Sequence, residues 1–394
     1  MVSSEKRIAE RREAIRQWLT GKTITSICAI LGHSRAWFYY WRERWYHYGV
    51  AGLHGIQPQH ASPHNRTPAE TEQAILRIRQ LLEKRPYALS GAPAIKRELE
   101  ALGFQEPPAI RTIESILKRY GFTVPKQRDI LQPAIREYPQ SKSQQSNQLH
   151  ELDLVGPRYF KGDSTKYYYS VLKDTFDQAV HVELISSRRS SEILETVVHG
   201  WQRLGIPNQL QLDNSLEFRG SNRWPRSFSI IIRLCLLLGV EVIFIPEGMA
   251  CRNGSVENFN GLLDRLFVNS QTFDSPEHAR KELPKLIKTA NRQHPHEALG
   301  YQTSYEHRSR LKLRKLSNNF KRHRKPMPIC AGKVSFIRVV RPDGTINMLS
   351  ESFKVGKRRK GQYVKATIWT RSQQLKVYYR GRIVKQWKYQ LPSK

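Results

Sequence analysis

The chain has 394 residues, which is too long for one ordinary domain and predicts about two to four. Lys and Arg number 66 against 34 Asp and Glu, and the resulting net charge of +32 indicates a polyanionic partner. The most apolar run, residues 230–238, is interrupted by Arg233 and is too short to cross a membrane. The four scattered cysteines argue against a disulfide framework and a structural zinc site, and suit a reducing cytoplasm.

The first 49 residues predict a helix-turn-helix unit. Apolar residues at helical spacing indicate a helix over about 7–19, Thr25 is positioned to cap a second short helix, and Ser34 follows a tight glycine turn to cap a third. The third helix carries three side chains suited to phosphates and base edges in a DNA major groove: Arg35, Tyr39 and Arg42. The alternative is a small helical bundle with a charged outer face, and the net charge favours DNA binding.

A second helix-turn-helix unit is predicted over residues 67–121, after a polar linker over 50–66. Thr67-Pro68 begins its first helix, and glycines end the two that follow. Its candidate groove contacts are Arg111, Thr112 and Lys118. Two such units suit a long, asymmetric DNA site, and a proline-interrupted linker over 122–147 comes after them.

Residues 148–300 change to a pattern of alternating strands and helices. It predicts five strands, at about 149–155, 166–172, 179–185, 210–212 and 240–245. It predicts four helices, at about 191–204, at about 228–238, around Glu257, and at about 275–293. The first three strands form a meander, and the whole predicts an α/β layer fold.

The last part of the chain is strongly basic and then alternates again. Residues 301–330 form a basic linker, predicted to follow a phosphate backbone, with Arg322 and Arg324 as candidate contacts. Short alternating strands over 331–394, separated by glycine turns, predict a small β-barrel domain with a DNA-facing role.

Three acids are candidates for one metal site. Asp153 lies in the first predicted core strand, Asp213 ends the fourth, and Glu257 lies in the first turn of a helix. If those strands are adjacent, both aspartates point at that turn, and rigid carboxylates suit two Mg²⁺ ions, with Mn²⁺ as a possible substitute. The alternative is that the aspartates cap turns and the glutamate complements the helix dipole. We expect the neighbouring acids to be solvated or structural: Glu151, Glu217, Glu247 and Asp264.

The order Asp153, Asp213-Asn214, then Asn253-Gly254-x-x-Glu257 resembles the integrase core shared by insertion-sequence transposases and retroviral integrases. The segment 294–301 is similar to the one that follows this core in bacterial insertion-sequence members, and the flanking domains come in the same order. The resemblance implies a ribonuclease H-like fold and a DDE catalytic triad, with Arg252 as a nearby DNA contact.

The chain departs from this family at three points. The last two acids are 257 − 213 = 44 positions apart, somewhat wider than usual, which we assign to a loop over 219–226. Ser215 stands where the family commonly has Gly. Polar or acidic side chains stand where relatives often have basic residues on the catalytic helix: Asn258, Asn260 and Asp264.

The resemblance implies a transposase that binds terminal inverted repeats in double-stranded DNA, hydrolyses a strand, and joins the freed 3′-hydroxyl to target DNA. It implies a homo-oligomer on DNA, in the bacterial cytoplasm at the nucleoid, with no membrane partner. The alternatives are a catalytically decayed or domesticated sequence-specific DNA-binding protein, a nuclease that cuts without joining, and a nucleic-acid chaperone without sequence preference.

Overall fold

A computed structural model describes residues 4–54, 67–123, 138–220, 223–249, 253–320 and 327–392. The candidate DNA contacts Arg252, Arg322 and Arg324 lie outside these ranges. The chain divides into two compact units, Met1–Ile130 and Leu131–Lys394. None of the described helices combines the length and the apolar composition that crossing a bilayer requires.

The first unit is helical. Its described α-helices are α1 Ser4–Leu19, α2 Ile24–Leu31, α3 Arg35–Tyr48, α4 Ala69–Lys84, α5 Ala92–Ala101 and α6 Ile110–Arg119. A 3₁₀ helix over Gly49–His54 follows α3. Ser34 caps α3 as predicted, because its hydroxyl accepts from the backbone NH of Trp37 at 3.1 Å. The cap of α2 is Thr23 rather than Thr25, since Thr23 has the extended backbone that a cap requires.

All six of these helices contribute to one hydrophobic core. The junction between α3 and α6 also contains a buried polar group. The Tyr120 hydroxyl lies 2.7 Å from the Tyr46 carbonyl oxygen and 2.7 Å from Glu72 Oε2. Arg119 binds the other oxygen of Glu72 at 2.7 Å. The first three helices and the last three therefore pack as one body.

The second unit is built on strands. They are β1 Leu149–Arg158, β2 Tyr167–Asp174, β3 Val180–Ile185, β4 Gln209–Leu212, β5 Glu241–Phe244, β6 Lys333–Val339, β7 Thr345–Met348, β8 Glu351–Lys354, β9 Tyr363–Trp369, β10 Gln374–Tyr379 and β11 Arg382–Lys388. Its α-helices are α7 Ser190–Arg203, α8 Leu216–Arg219, α9 Ile230–Leu237, α10 Gly254–Leu263, α11 Pro276–Gln293 and α12 Ser304–Arg308. Nine strands form one sheet in the order β11-β10-β9-β6-β5-β4-β1-β2-β3.

The core half of this sheet follows the sequence prediction. Strands β1, β2 and β3 form the antiparallel meander, while β4 pairs in parallel with β1 and β5 with β4. Helices α7 and α9 pack together against the sheet, and α10 packs on β1 and β2. This is the layered α/β architecture that the sequence predicts.

The C-terminal strands do not confirm a separate small β-barrel. Strand β6 pairs in parallel with β5, Val242 facing Val334, and in antiparallel with β9. Strands β6, β9, β10 and β11 therefore extend the core sheet, while β7 and β8 form a separate two-stranded sheet. Strand β6 covers what would otherwise be an unpaired edge at β5. The junction is apolar, because the rings of Phe244 and Phe336 stack with centroids 4.7 Å apart. Alternating sequence patterns look alike in a barrel and in a one-sided sheet, so the sequence does not distinguish the two arrangements.

Candidate active site

Two of the predicted acids lie at the same level of neighbouring strands. Strands β1 and β4 run in parallel, with Leu149 paired to Gln209. Asp153 is 153 − 149 = 4 residues beyond that pair and Asp213 is 213 − 209 = 4 residues beyond it. Equal spacing along parallel strands brings the two carboxylates to the same edge of the core. Both side chains are partly exposed, so solvent and solutes reach them.

Glu257 completes the group from the first turn of α10. Burial, and beyond it the charge of Asp213, raises the pKa of Asp153 above its usual value. Burial and the charge of Asp153 raise the pKa of Glu257 in the same way. Asp153 is therefore close enough to each of the other two acids for their charges to interact, and among the described residues none of the three forms an ion pair.

The acids do not form a closed metal cage. Within the described ranges, no group of three or more His, Cys, Asp or Glu side chains is arranged to hold a metal ion. Carboxylates repel one another unless a cation lies between them, so close convergence depends on the ion itself. A hard cation that keeps several water ligands requires only one or two carboxylates at once. The donor set therefore suits a divalent cation bound with water.

Hydrogen bonds orient the two aspartates. Asn260 Nδ2, on α10, donates to Asp153 Oδ2 at 2.8 Å, and the backbone NH of Leu154 donates to Oδ1 at 2.8 Å. The backbone NH of Ser215 donates to Asp213 Oδ1 at 2.9 Å. In the sequence, Asn260 stands out only as a departure from the family pattern, and this contact was not predicted. Its position three residues after Glu257, on the same helical face, is the feature that predicts it.

Buried polar residues fix the start of α10 to the sheet. Glu151 on β1 accepts from the backbone NH of Val256 through Oε2 at 2.8 Å. Lys173 on β2 donates to the carbonyl oxygen of Ser255 at 2.7 Å. We call Glu151, Lys173 and Gln211 the α10 clamp. Because Val256 directly precedes Glu257, these bonds set the position of the third acid.

Gln211 on β4 completes the α10 clamp. Its side-chain nitrogen lies 3.1 Å from Glu151 Oε1 and 3.0 Å from Asn253 Oδ1, so it joins two strands to the residue before α10. Burial raises the pKa of Glu151 to about 7 and lowers the pKa of Lys173 to about 8, while each charge favours ionisation of the other. Glu151 thus has the structural role that the sequence analysis expected.

The other acids near the site are also engaged in structural contacts. Glu217 pairs with Arg188 at 2.5 Å, and Asp264 pairs with Arg158 at 2.5 Å. Arg338 binds Asn214 Oδ1 at 2.7 Å and lies 3.6 Å from Glu247. These side chains already have basic partners, whereas the three predicted ligands form no ion pair with any residue in the described ranges.

The candidate DNA contacts of the first unit lie on the outer sides of their helices. On α3, Arg35 and Tyr39 are exposed, and Arg42 lies over the Tyr39 ring at 4.9 Å. On α6, Arg111 and Lys118 are exposed and Thr112 is partly so, while the opposite face of the helix is buried. These side chains are accessible to a ligand, as a DNA-binding role requires.

Two family models match the chain. Residues 238–303 match the integrase core domain, a segment that includes Glu257, and residues 10–61 match a helix-turn-helix domain. The chain thus combines a segment similar to a helix-turn-helix domain with a segment similar to an integrase core. Together the two matches support the resemblance to an insertion-sequence transposase with an integrase core. No curated protein matches the chain.

Several solved structures are similar at low identity. The HTLV-2 integrase catalytic core domain in complex with magnesium, in its trimeric form, is 19% identical with a TM-score of 0.32, covering 42% of this chain and 99% of that one. The simian T-cell lymphotropic virus intasome in complex with PP2A regulatory subunit B56 gamma is 15% identical with a TM-score of 0.36, covering 70% and 88%. The BIV integrase catalytic core domain is 18% identical with a TM-score of 0.30, covering 41% and 93%.

Proposed function

We propose that this protein is a DDE-type transposase that binds terminal inverted repeats, hydrolyses a strand at the element end and transfers the 3′-hydroxyl to target DNA. The observation that carries the proposal is the grouping of Asp153, Asp213 and Glu257. They come from two parallel strands at one level and from a helix start, and none has a basic partner within the described part of the chain. The charge of Asp213 helps to raise the pKa of Asp153, and the charge of Asp153 helps to raise the pKa of Glu257.

The three carboxylates would hold two Mg²⁺ ions, or Mn²⁺ in their place. The bound ions would activate a water or a 3′-hydroxyl and stabilise the departing oxygen of a phosphodiester. Asn260 orients one oxygen of Asp153 and leaves the other to the Leu154 amide. The α10 clamp keeps Glu257 facing the strands. The protein supplies positioning and negative charge, and no covalent intermediate with a side chain is required.

DNA would reach this site through the helical unit. The exposed side chains on α3 and α6 would read the element ends, the basic stretch that contains Arg322 and Arg324 would follow the phosphate backbone, and Arg252 would be a further DNA contact. Two element ends have to be joined in one reaction, so we propose that the protein acts as a homo-oligomer on DNA.

The test is strand transfer by the full chain on a duplex that carries the element end, with Mg²⁺ and with Mn²⁺. Asp213→Asn should reduce cleavage and joining by about 10³-fold or more, since a metal-bound carboxylate contributes several kcal/mol to the transition state. The matched control is Asp163→Asn, which changes a partly exposed turn aspartate and should retain full activity.

Each product pattern assigns a function. Full activity of Asp213→Asn would show that the metal role is wrong. Hydrolysed product without joining would identify a nuclease. Sequence-specific binding without metal-dependent nicking would identify a decayed or domesticated DNA-binding protein.

A further inference from the structure

A large groove lies on the C-terminal half of the sheet, in the second unit. Strands β6, β9 and β10 form its floor, residues 138–141 form part of its wall, and its volume is about 1390 Å³. Alternate residues of β9, such as Val364 and Ile368, face the hydrophobic core. The residues between them face the groove, among them Lys365 and Trp369. The two faces of this part of the sheet are therefore chemically different.

Aromatic rings and cations alternate in the groove. The Lys333 ammonium lies 4.5 Å from the centre of the Trp369 ring, and the Lys376 ammonium lies 5.5 Å from it. The Trp369 ring nitrogen donates to the Tyr378 hydroxyl at 3.3 Å, which fixes both rings. Arg380 lies 5.5 Å from the Tyr379 ring. Partly exposed rings held beside positive charges are suited to a ligand that offers both flat rings and negative charge.

The groove has an excess of positive charge. Its lining contains six basic side chains: Lys333, Arg338, Arg341, Lys360, Lys365 and Arg380. It contains two acids, Glu241 and Glu247, which leaves 6 − 2 = +4. Both acids already have basic neighbours, since Lys365 lies 3.0 Å from Glu241 and Arg338 lies 3.6 Å from Glu247. The remaining charge attracts a polyanion.

We infer that this groove binds a single-stranded segment of DNA. Phosphates would contact the lysines and arginines, and unpaired bases would stack on Trp369, Tyr378 and Tyr379. A duplex keeps its bases stacked on one another and offers the groove only its backbone, so the rings specifically favour a single strand. The inference deepens the proposed function, on which it rests for the source of the strand: a strand cut at an element end yields a single-stranded segment once it separates from its complement near the cut.

The direct test is photocrosslinking with the full-length protein. The probe is an oligothymidylate of about 20 nucleotides that contains 5-iodouracil, mixed with an excess of unlabelled duplex to occupy duplex-binding surfaces. EDTA is present throughout, so no cleavage occurs. Mass spectrometry should find crosslinks on peptides that contain Trp369, Tyr378 or Tyr379. Crosslinks found only elsewhere in the chain would overturn the inference.

The second test compares substitutions at Trp369. Trp369→Leu should weaken binding of the oligothymidylate by roughly fivefold to a hundredfold, whereas Trp369→Phe, which retains a ring, should bind nearly as the wild type does. Trp224→Leu is the matched control, because Trp224 is 68% exposed and lies outside the groove. A duplex of the same length should bind all variants alike. Equal weakening for the duplex, or no weakening for the single strand, would contradict the inference.

A charge variant tests the groove independently, in case Trp369→Leu does not fold. Lys333→Gln should reduce the slope of log affinity against log salt for the single strand by about 0.7, the value for one phosphate contact. Lys354→Gln, on β8 outside the groove, should leave the slope unchanged. An unchanged slope in Lys333→Gln would count against the groove.

These measurements use neither metal nor the three acids. Failure to crosslink in the groove would leave the Asp213→Asn experiment intact. Conversely, a chain without strand-transfer activity that still crosslinks at Trp369 would support the groove and contradict the transposase proposal.

Discussion

The core sheet contains two groups of acids with opposite surroundings. Asp174, at the end of β2 and opposite His150 near the start of β1, is fully buried and lies 2.7 Å from Arg308 and 3.5 Å from His150. Burial alone would raise the pKa of Asp174, but the bond from His150 and the charges of His150 and Arg308 hold it below its usual value. Farther along β1, Asp153 is only partly buried, and its pKa is raised above its usual value.

The difference shows that the presence of basic partners, more than the depth of burial, distinguishes a structural acid from a candidate metal ligand. Asp174 has its compensating charge within the fold, so its ionised form contributes to stability. The group of Asp153, Asp213 and Glu257 has only other acids as charged neighbours among the described residues, so its ionised form is costly until a cation binds. Binding a cation would therefore stabilise the folded protein as well as equip it for chemistry.

The largest expected effect comes from changing one aspartate in each group. Asp174→Asn removes the buried charge that pairs with Arg308 and His150, leaving Arg308 only its second acidic partner, Asp177, and should lower the free energy of unfolding by about 3–5 kcal/mol. Asp213→Asn removes one of three repelling charges and should leave that free energy unchanged or slightly higher without metal. Urea denaturation in EDTA measures both. Similar destabilisation by the two substitutions would contradict the distinction between the acid with basic partners and the three acids without them.

The α10 clamp gives the next largest effect. Lys173→Met keeps the length of a side chain that is 4% exposed, but removes the bond to Ser255 and the positive charge near Glu151. It should lower the free energy of unfolding by about 1–3 kcal/mol and slow metal-dependent cleavage, with DNA affinity unchanged. Lys166→Met, at an exposed position just before β2, is the control. Wild-type cleavage by Lys173→Met would mean that the clamp does not position Glu257.

The strands, the helices and the order of the three acids could be predicted because they depend on local patterns. Period-two and helical spacing give β1 to β5 and the helices α7, α9, α10 and α11 within a few residues, whereas the short helix α8 was not predicted. An acid at a strand end is visible in the sequence. The α10 clamp could not be predicted, since Glu151, Lys173 and Gln211 come from three strands whose side-chain contacts exist only after the sheet has formed.

The C-terminal sheet was beyond sequence prediction for a related reason. The alternation in β6 and β9 indicates that one face is buried, but not what covers the strand edges. Pairing of β6 with β5 joins residues about 90 positions apart, such as Val242 and Val334, and no local pattern encodes it. The groove around Trp369 exists only because of that pairing.

Asn260 offers a smaller and more specific test of how the acids are held. Asn260→Ala removes the bond to Asp153 Oδ2 and should reduce metal affinity or cleavage by about 10- to 100-fold, as is typical for partners that orient metal ligands. Asn258→Ala, at an exposed position on the same helix, should behave as the wild type does. The readout is the Mg²⁺ concentration that gives half-maximal cleavage. Equal effects of the two substitutions would show that Asp153 needs no orienting partner.

The smallest expected effect concerns the protonation of His296, a partly buried histidine near Lys173 of the α10 clamp. Burial, together with the charges of Lys173 and His294, lowers the pKa of His296 to about 4. The unfolded chain takes up a proton at His296 below about pH 6.5, whereas the folded chain does not until about pH 4. Stability from this group is therefore lost as the pH falls through that window. His296→Gln should reduce the loss by about 1 kcal/mol at pH 5.5 and have little effect through this proton at pH 8, measured by urea denaturation. An unchanged pH dependence would show that folding does not oppose the protonation of His296. In that case the positive charge of His296, unlike the negative charges of the three acids, would be compensated within the fold.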